Sequence, residues 1–305
     1  MLIEKLSFKH KEQLYPKLKK INSMISDYSF ANLFLFRKKH NYEILYDGDF
    51  YIRGETYDGK IYIMPVILFN EIDLSKVEKL LKETDFIFPI DIQDLSDNSD
   101  NSDNSDRYKI DLNLNDSDYI YTVLKMKDFK GRNLHGKRNL LHQFEKNFNC
   151  EIKSISNENK KDAIFVVEKW QENAQSFYYE TDFEANIEAI KYYEKLNLFG
   201  FIYYVSKMPV GIVIGEQLRS DTFALHFAKG LKNFKGIYQF MYNSFAKFLY
   251  PDYKFINFEQ DLGISSLRQS KNSYEPDVLI HKLRLSLQKG IEPFDTKRAS
   301  ICEKN

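Results

Sequence analysis

The chain is 305 residues long and carries 44 Lys and Arg against 44 Asp and Glu, so no global field exists to hold a polyanion or an anionic surface. Hydrophobic residues make up 43% and charged residues 29%, enough for a sizeable core and too apolar for a mostly disordered chain. The only two cysteines, Cys150 and Cys302, exclude a disulfide framework and point to a reducing compartment.

The N-terminal residues show no apolar run of signal-peptide length. The longest apolar neighbourhood, residues 199–215, is broken by Lys207 and Pro209, short of the roughly 20 residues a spanning helix needs. A soluble, cytoplasmic protein without integral membrane insertion is expected. Residues 41–46, 50–54 and 60–66 are β-rich runs separated by the turns Asp47-Gly48 and Asp58-Gly59. Residues 73–84 place Leu74, Val77, Leu80 and Leu81 on one helical face behind Asp73 as a cap, and residues 86–90 read as a buried strand. Together these predict a small α+β lobe over residues 1–120. A repeated Ser-Asp-Asn triplet begins at Ser96, and residues 91–118 hold nine Asp against Arg107 and Lys109. Without apolar periodicity this predicts a disordered insertion near residues 93–107, and the Gly and Glu of a calcium loop are missing.

Residues 121–148 predict a basic connecting helix, broken near residues 131–136. Over residues 125–138, Lys125, Lys127, Lys130, Arg132, Lys137 and Arg138 face only Asp128, a patch able to grip phosphates or to form a solvated helix face. Gly131, Gly136 and Lys137 have the spacing of a phosphate-binding loop, but Arg138 stands where that loop needs a hydroxyl. His135 and His142 lack the Cys or carboxylate partners of a zinc site. No G-x-S-x-G, H-E-x-x-H or G-x-G-x-x-G occurs, so serine hydrolase, zincin and dinucleotide-binding readings have no support.

Residues 149–290 predict a second lobe. Helices are expected over 159–172 and 183–196, strands over 198–205, 210–217 and 222–228, and a strongly amphipathic helix over 237–250. A strand at 253–258 and a short helix from about 262 complete it, before a flexible tail at 291–305. Asn257, Glu259 and Asp261 follow the last strand at a spacing of two, which puts all three on one face at a strand's end, where clefts are commonly lined. The alternative is structural: Asp261 caps the next helix and Arg268 pairs with Glu259.

Five motifs in order resemble the C-terminal domain of bacterial phosphatidylglycerol lysyltransferases and the stand-alone proteins built on it. They are S-D-Y-S-F-A-N-L-F at 26–34, D-Y-I-Y at 118–121, H-G-K-R-N at 135–139, N-x-E-Q-D-L-G at 257–263 and L-R-x-S-K-x-S-Y-x-P at 267–276. The resemblance spans nearly the whole chain. It implies an α+β fold of two tandem GNAT-like (acyl-CoA N-acyltransferase) lobes, each a mixed central sheet flanked by helices. The implied activity is acyl or aminoacyl transfer, from a charged tRNA to an amine or hydroxyl of a lipid, peptide or small molecule. An acyl-CoA-dependent N-acyltransferase, or a binding protein that keeps the fold without chemistry, are the alternatives. Aminoacyl-tRNA or acyl-CoA would be the donor substrate, with no further cofactor. A tRNA partner would meet the basic patch, and membrane contact would be peripheral.

Under that resemblance Glu259, Asp261 and Asn257 are the candidate catalytic residues. A carboxylate would take the proton of the attacking group. His226, Lys229, Gly230, Gly236, Arg268, Lys271 and Tyr274 are candidates for donor or substrate binding, with residues 229–236 meeting the donor's phosphates at a helix start. Lys137, Arg138 and Asn139 would hold a tRNA end or a lipid phosphate. Two positions depart from the family pattern: H-x-E-K becomes His226-Phe227-Ala228-Lys229, and Phe258 stands where the family has Arg. Both remove a charge.

Overall fold

The computed structural model describes residues 2–91, 107–174 and 176–288. Two seven-stranded mixed sheets organise them. The first runs β1 (Leu2–Lys5), β2 (Glu43–Asp47), β3 (Asp49–Glu55), β4 (Ile61–Pro65), β5 (Phe86–Asp91), then β14 (Lys282–Leu287) and β6 (Tyr108–Leu112). The second runs β8 (Cys150–Ser154), β9 (Phe199–Val205), β10 (Met208–Arg219), β11 (Thr222–Gly230), β12 (Phe255–Asn257), then β7 (Asp118–Thr122) and β13 (Val278–Ile280). The two sheets share one plan. Four strands pair antiparallel, the fourth and fifth pair parallel, and two more add antiparallel. The fold is therefore α+β, with two GNAT-like lobes of mixed sheet and flanking helices, as the resemblance implies.

The chain does not divide at a single point. One compact unit comprises the described parts of Met1–Ile21, Lys38–Leu114 and His281–Asn305; the other comprises Asn22–Arg37 and Asn115–Ile280. The expected boundary at residue 120 thus gives way to an exchange of segments. Strand β7 joins β12, β14 joins β5, and the apolar stretch 30–36 packs with the second unit. The Asp-rich insertion (but for Arg107), the tail 291–305 and Cys302 lie outside the described residues.

In the first unit, α1 (Lys11–Ile21) and α3 (Leu74–Leu80) accompany the sheet, and Leu45, Tyr51, Ile63, Ile87, Leu283 and Leu285 form a buried cluster. Gly48 and Gly59 supply the left-handed φ of +80° and +73° that the two Asp-Gly turns require. The second unit contains α2 (Phe30–Phe36), α4 (Val123–Asp128), α5 (His135–Asn147), α6 (Lys160–Glu172), α7 (Phe183–Lys191), α8 (Ile237–Leu249) and α9 (Ser265–Asn272). The expected basic helix is split: Phe129 caps α4 in the left-handed region at φ 45°, and Gly131 follows at φ 101°. Helix α8 buries Ile237, Met241, Phe245 and Leu249, one residue per turn, in the same core as Tyr203, Val213 and Phe223.

One feature of the second sheet positions the site. Strands β11 and β12 are in register only at Thr222–Phe255, Phe223–Ile256 and Ala224–Asn257. Strand β11 continues to Gly230 beside β10, whereas β12 stops at Asn257. The parallel pair therefore parts at residue 225, and beyond it the His226 side chain of β11 meets that of Glu259 from the segment after β12.

Candidate functional site

Asn257 is wholly buried and anchors the end of β12. Its side-chain amide donates to the Met24 carbonyl at 2.7 Å and to Asp118 Oδ2 at 2.8 Å, and its Oδ1 accepts from the Glu259 amide at 2.6 Å. Asp118 Oδ2 also accepts from the Ser26 amide at 2.8 Å. Glu259 sits in the left-handed region at φ 60°, a conformation that a non-glycine residue holds only when its surroundings fix it. Here they do. The Glu259 carbonyl accepts from the Tyr119 amide at 3.2 Å, and Lys271 Nζ donates to the carbonyls of Phe258, Glu259 and Gln260 at 2.6, 2.9 and 2.6 Å.

This turn delivers the Glu259 carboxylate to His226. Nδ1 of His226 lies 2.7 Å from Glu259 Oε1, and Nε2 lies 3.1 Å from Glu216 Oε1. Asn32 Nδ2 donates to the same Glu259 oxygen at 2.8 Å, and the Ser29 hydroxyl donates to Glu216 Oε1. Ser29 also caps α2, accepting from the Asn32 amide at 3.0 Å. Burial alone would push the His226 ring toward its neutral form. The charge of Glu259 and the bond to Glu216 outweigh it and raise its pKa to about 10, so the ring is an imidazolium. The side chains of His226, Glu216 and Glu259 are 0%, 3% and 14% exposed, so Glu259 is the member of the chain that solvent reaches. Both contacts to the Glu259 carboxylate, from His226 and from Asn32, fall on Oε1, and among the described residues Oε2 takes no hydrogen bond.

The three candidate catalytic residues do not share a face. Strand β12 ends at Asn257, and the left-handed turn at Glu259 sends Asp261 elsewhere. Asp261 is fully buried and accepts from Tyr119 Oη at 2.7 Å, from Arg268 Nε and Nη2 at 2.7 and 2.8 Å, and from the Gly263 amide at 2.8 Å. Both its oxygens are taken. Burial raises its pKa, but the bonds from Arg268 and Tyr119 more than reverse this and hold it below the usual range. Arg268 thus pairs with Asp261, not with Glu259.

The other predicted residues fall into separate groups. Lys229 Nζ pairs with Asp182 at 2.8 Å and lies 3.9 Å over the Trp170 ring. The Gly230 amide donates to Tyr238 Oη at 3.2 Å. Gly236 precedes α8 at φ 91°, where a Cβ would stand 2.1 Å from the Leu140 carbonyl oxygen. Packing against α5 therefore accounts for this glycine. Tyr274 is buried and accepts from Gln239 at 2.7 Å. Lys137 lies 4.0 Å over the Tyr274 ring and donates to Ser273 at 2.6 Å, and burial lowers its pKa. Arg138 donates to the carbonyls of Phe129 and Gly131, bracing the loop before its own helix. Asn139 lies 3.4 Å from His135 Nδ1, one turn back. In the basic patch, Lys125 pairs with Asp277 at 2.7 Å, Lys127 lies 3.8 Å over Tyr250, and Lys130 pairs with Asp128 at 3.0 Å.

Three members of the central cluster escaped the sequence reading: Glu216, Ser29 and Asn32. Glu216 had a signal, as a lone acid after the run V-G-I-V-I-G of a buried strand. Ser29 and Asn32 lie in a motif already singled out, but nothing in it shows that they meet residues some 200 positions later. No group of three or more His, Cys, Asp or Glu among the described residues is arranged to hold a metal ion, and no described helix is long and apolar enough to cross a membrane.

Known structures share this fold. A conserved protein of unknown function from Bacteroides thetaiotaomicron is 22% identical with a TM-score of 0.80, covering 94% of this chain and 99% of that one. L-PGS from Bacillus licheniformis is 14% identical with a TM-score of 0.59 over 95% and 94% of the two chains. FemX is 10% identical with a TM-score of 0.59 over 94% and 98%. At these identities the likeness shows the fold alone. No curated protein matches the sequence. The family model for the C-terminal domain of phosphatidylglycerol lysyltransferase matches residues 18–284. The chain belongs to the phosphatidylglycerol lysyltransferase C-terminal domain family.

Proposed function

We propose that the protein is an aminoacyltransferase that moves an aminoacyl group from a charged tRNA to an amine or hydroxyl, with Glu259 as the general base. One observation carries the reading: Glu259 is the solvent-reached end of a buried carboxylate–imidazolium–carboxylate chain, with Oε2 unengaged, at the place where β11 and β12 part. The donor ester is already activated, so placing the acceptor beside it supplies much of the rate. The acceptor's nitrogen or oxygen attacks the ester carbonyl and gives its proton to Glu259. The ester C–O bond then breaks, and the departing ribose oxygen takes up the proton that Glu259 received, which restores the carboxylate. The acceptor is an amine or hydroxyl of a lipid, peptide or small molecule.

An acyl-CoA donor has less support. Gly236 is accounted for by its contact with α5, the Gly230 amide is bonded to Tyr238, and Lys229 is held by Asp182 and Trp170. The test offers the protein radiolabelled aminoacyl-tRNA or acetyl-CoA, each with phosphatidylglycerol vesicles or with a panel of soluble amines. Label leaving tRNA for an acceptor supports the reading. Label leaving only acetyl-CoA, or leaving neither donor, contradicts it.

A further inference from the structure

We propose that Glu216 is a positioning residue: acting through the His226 ring, it holds Oε1 of the Glu259 carboxylate in place. The role assigned to Glu259 rests on the transfer reading, whereas the arrangement itself does not. Both ring nitrogens of His226 face carboxylate oxygens, at 2.7 and 3.1 Å. A neutral imidazole has one N–H, so one of those contacts would set a lone pair against a carboxylate. Only the doubly protonated ring donates to both.

Glu216 is itself out of a substrate's reach, 3% exposed on β10. A carboxylate buried this deeply persists only beside a compensating charge and donors. The charged groups that meet the ring are Glu216 from β10 and Glu259 from the segment after β12. Helix α2 adds one neutral donor to each carboxylate, Ser29 to Glu216 and Asn32 to Glu259. Two elements, β10 and α2, thus tie Oε1 of Glu259 in place and leave its other oxygen for chemistry. Without the charge at position 216 the ring gives up a proton more easily, and its grip on Glu259 weakens.

The experiment uses the full chain labelled with 15N-histidine and 13Cδ-glutamate, with His226→Gln and Glu259→Gln to assign the resonances. At pH 8 the wild-type His226 ring carries both protons. Glu216→Gln, which keeps the side chain's shape, lowers the pH at which that ring loses its charge by at least about one unit and moves the Glu259 resonance. With mixed radiolabelled aminoacyl-tRNA and phosphatidylglycerol vesicles, Glu216→Gln lowers kcat by about 10- to 100-fold and leaves KM within about twofold. Ser29→Ala shifts the same signals in the same direction by less. A neutral His226 at pH 8, an unmoved Glu259 resonance, or full turnover by Glu216→Gln overturns the proposal. A wild-type protein that passes label from aminoacyl-tRNA to neither phosphatidylglycerol vesicles nor the panel of soluble amines refutes the transfer reading instead, and the two resonances alone then decide whether Glu216 positions Glu259.

Discussion

His226 Nδ1 and Glu259 Oε1 stand 2.7 Å apart, and the ring's far nitrogen is 3.1 Å from Glu216. One buried cation therefore serves two carboxylates. Removing it leaves both without their counter-charge. His226→Leu is expected to destabilise the second unit by about 3–5 kcal/mol, the range for breaking a buried ion pair by deleting one partner. Urea unfolding of the two proteins measures this, and a loss under about 1 kcal/mol would show that the carboxylates find other partners.

The same ring makes stability depend on pH. Its pKa is raised from 6.5 to about 10 on folding. The contribution is fully present below pH 6.5, where the ring is charged in both states. It is lost as the pH rises toward 10, because over that window the folded protein holds a proton that the unfolded chain has released. Urea midpoints between pH 7 and 9.5 should fall more steeply for the wild type than for His226→Gln. Parallel curves would mean that the ring is neutral in the folded protein.

Asp261 and Glu259 are two residues apart and do different work. Asp261 accepts four hydrogen bonds in full burial, two of them from Arg268. Asp261→Ala strands the Tyr119 hydroxyl and the Gly263 amide, so a loss of at least about 2 kcal/mol is expected. Any fall in transfer should follow the folded fraction measured by circular dichroism. Activity lost from a fully folded Asp261→Ala protein would instead place Asp261 in the chemistry.

Glycines 131 and 236 offer a paired test of packing. Both have positive φ, at 101° and 91°. A Cβ at Gly131 meets nothing within 4 Å, whereas at Gly236 it meets the Leu140 carbonyl oxygen at 2.1 Å. Gly131→Ala should cost about 1–2 kcal/mol from backbone strain alone. Gly236→Ala should cost about 2–4 kcal/mol, since overpacking adds to that strain. Equal losses in calorimetric scans would show that α5 yields and that the close approach is not what the glycine is for.

Local chemistry was legible in the sequence where one segment decides its own structure. The Asp-Gly turns, the break between α4 and α5, and the stripe Ile237, Met241 and Phe245 follow from φ preference and helical period. Glu259 was legible as a candidate, since an acid just past an apolar strand is conspicuous. Its separation from Asp261 was not, because period-two spacing holds only while the strand continues, and β12 is three residues long. The exchange of β7 and β14 was hidden for a similar reason. Strand partners are chosen by contacts distant in sequence, and short strands carry little pattern of their own. The cluster around His226 combines both difficulties. It draws Ser29 and Asn32 from an N-terminal helix, Glu216 from mid-strand and Glu259 from a turn, and only the folded sheet brings them together.

The most direct test of the account compares the wild type with Glu259→Gln, which preserves shape and removes the proton acceptor. The measurement is the single-turnover rate of label transfer from radiolabelled aminoacyl-tRNA, with melting temperature followed in parallel. The account predicts a rate per folded molecule lowered by about 10²–10⁴-fold, the usual range for a general base, together with a lower melting temperature because His226 loses one of its two counter-charges. A Glu259→Gln protein that transfers at the wild-type rate would contradict it.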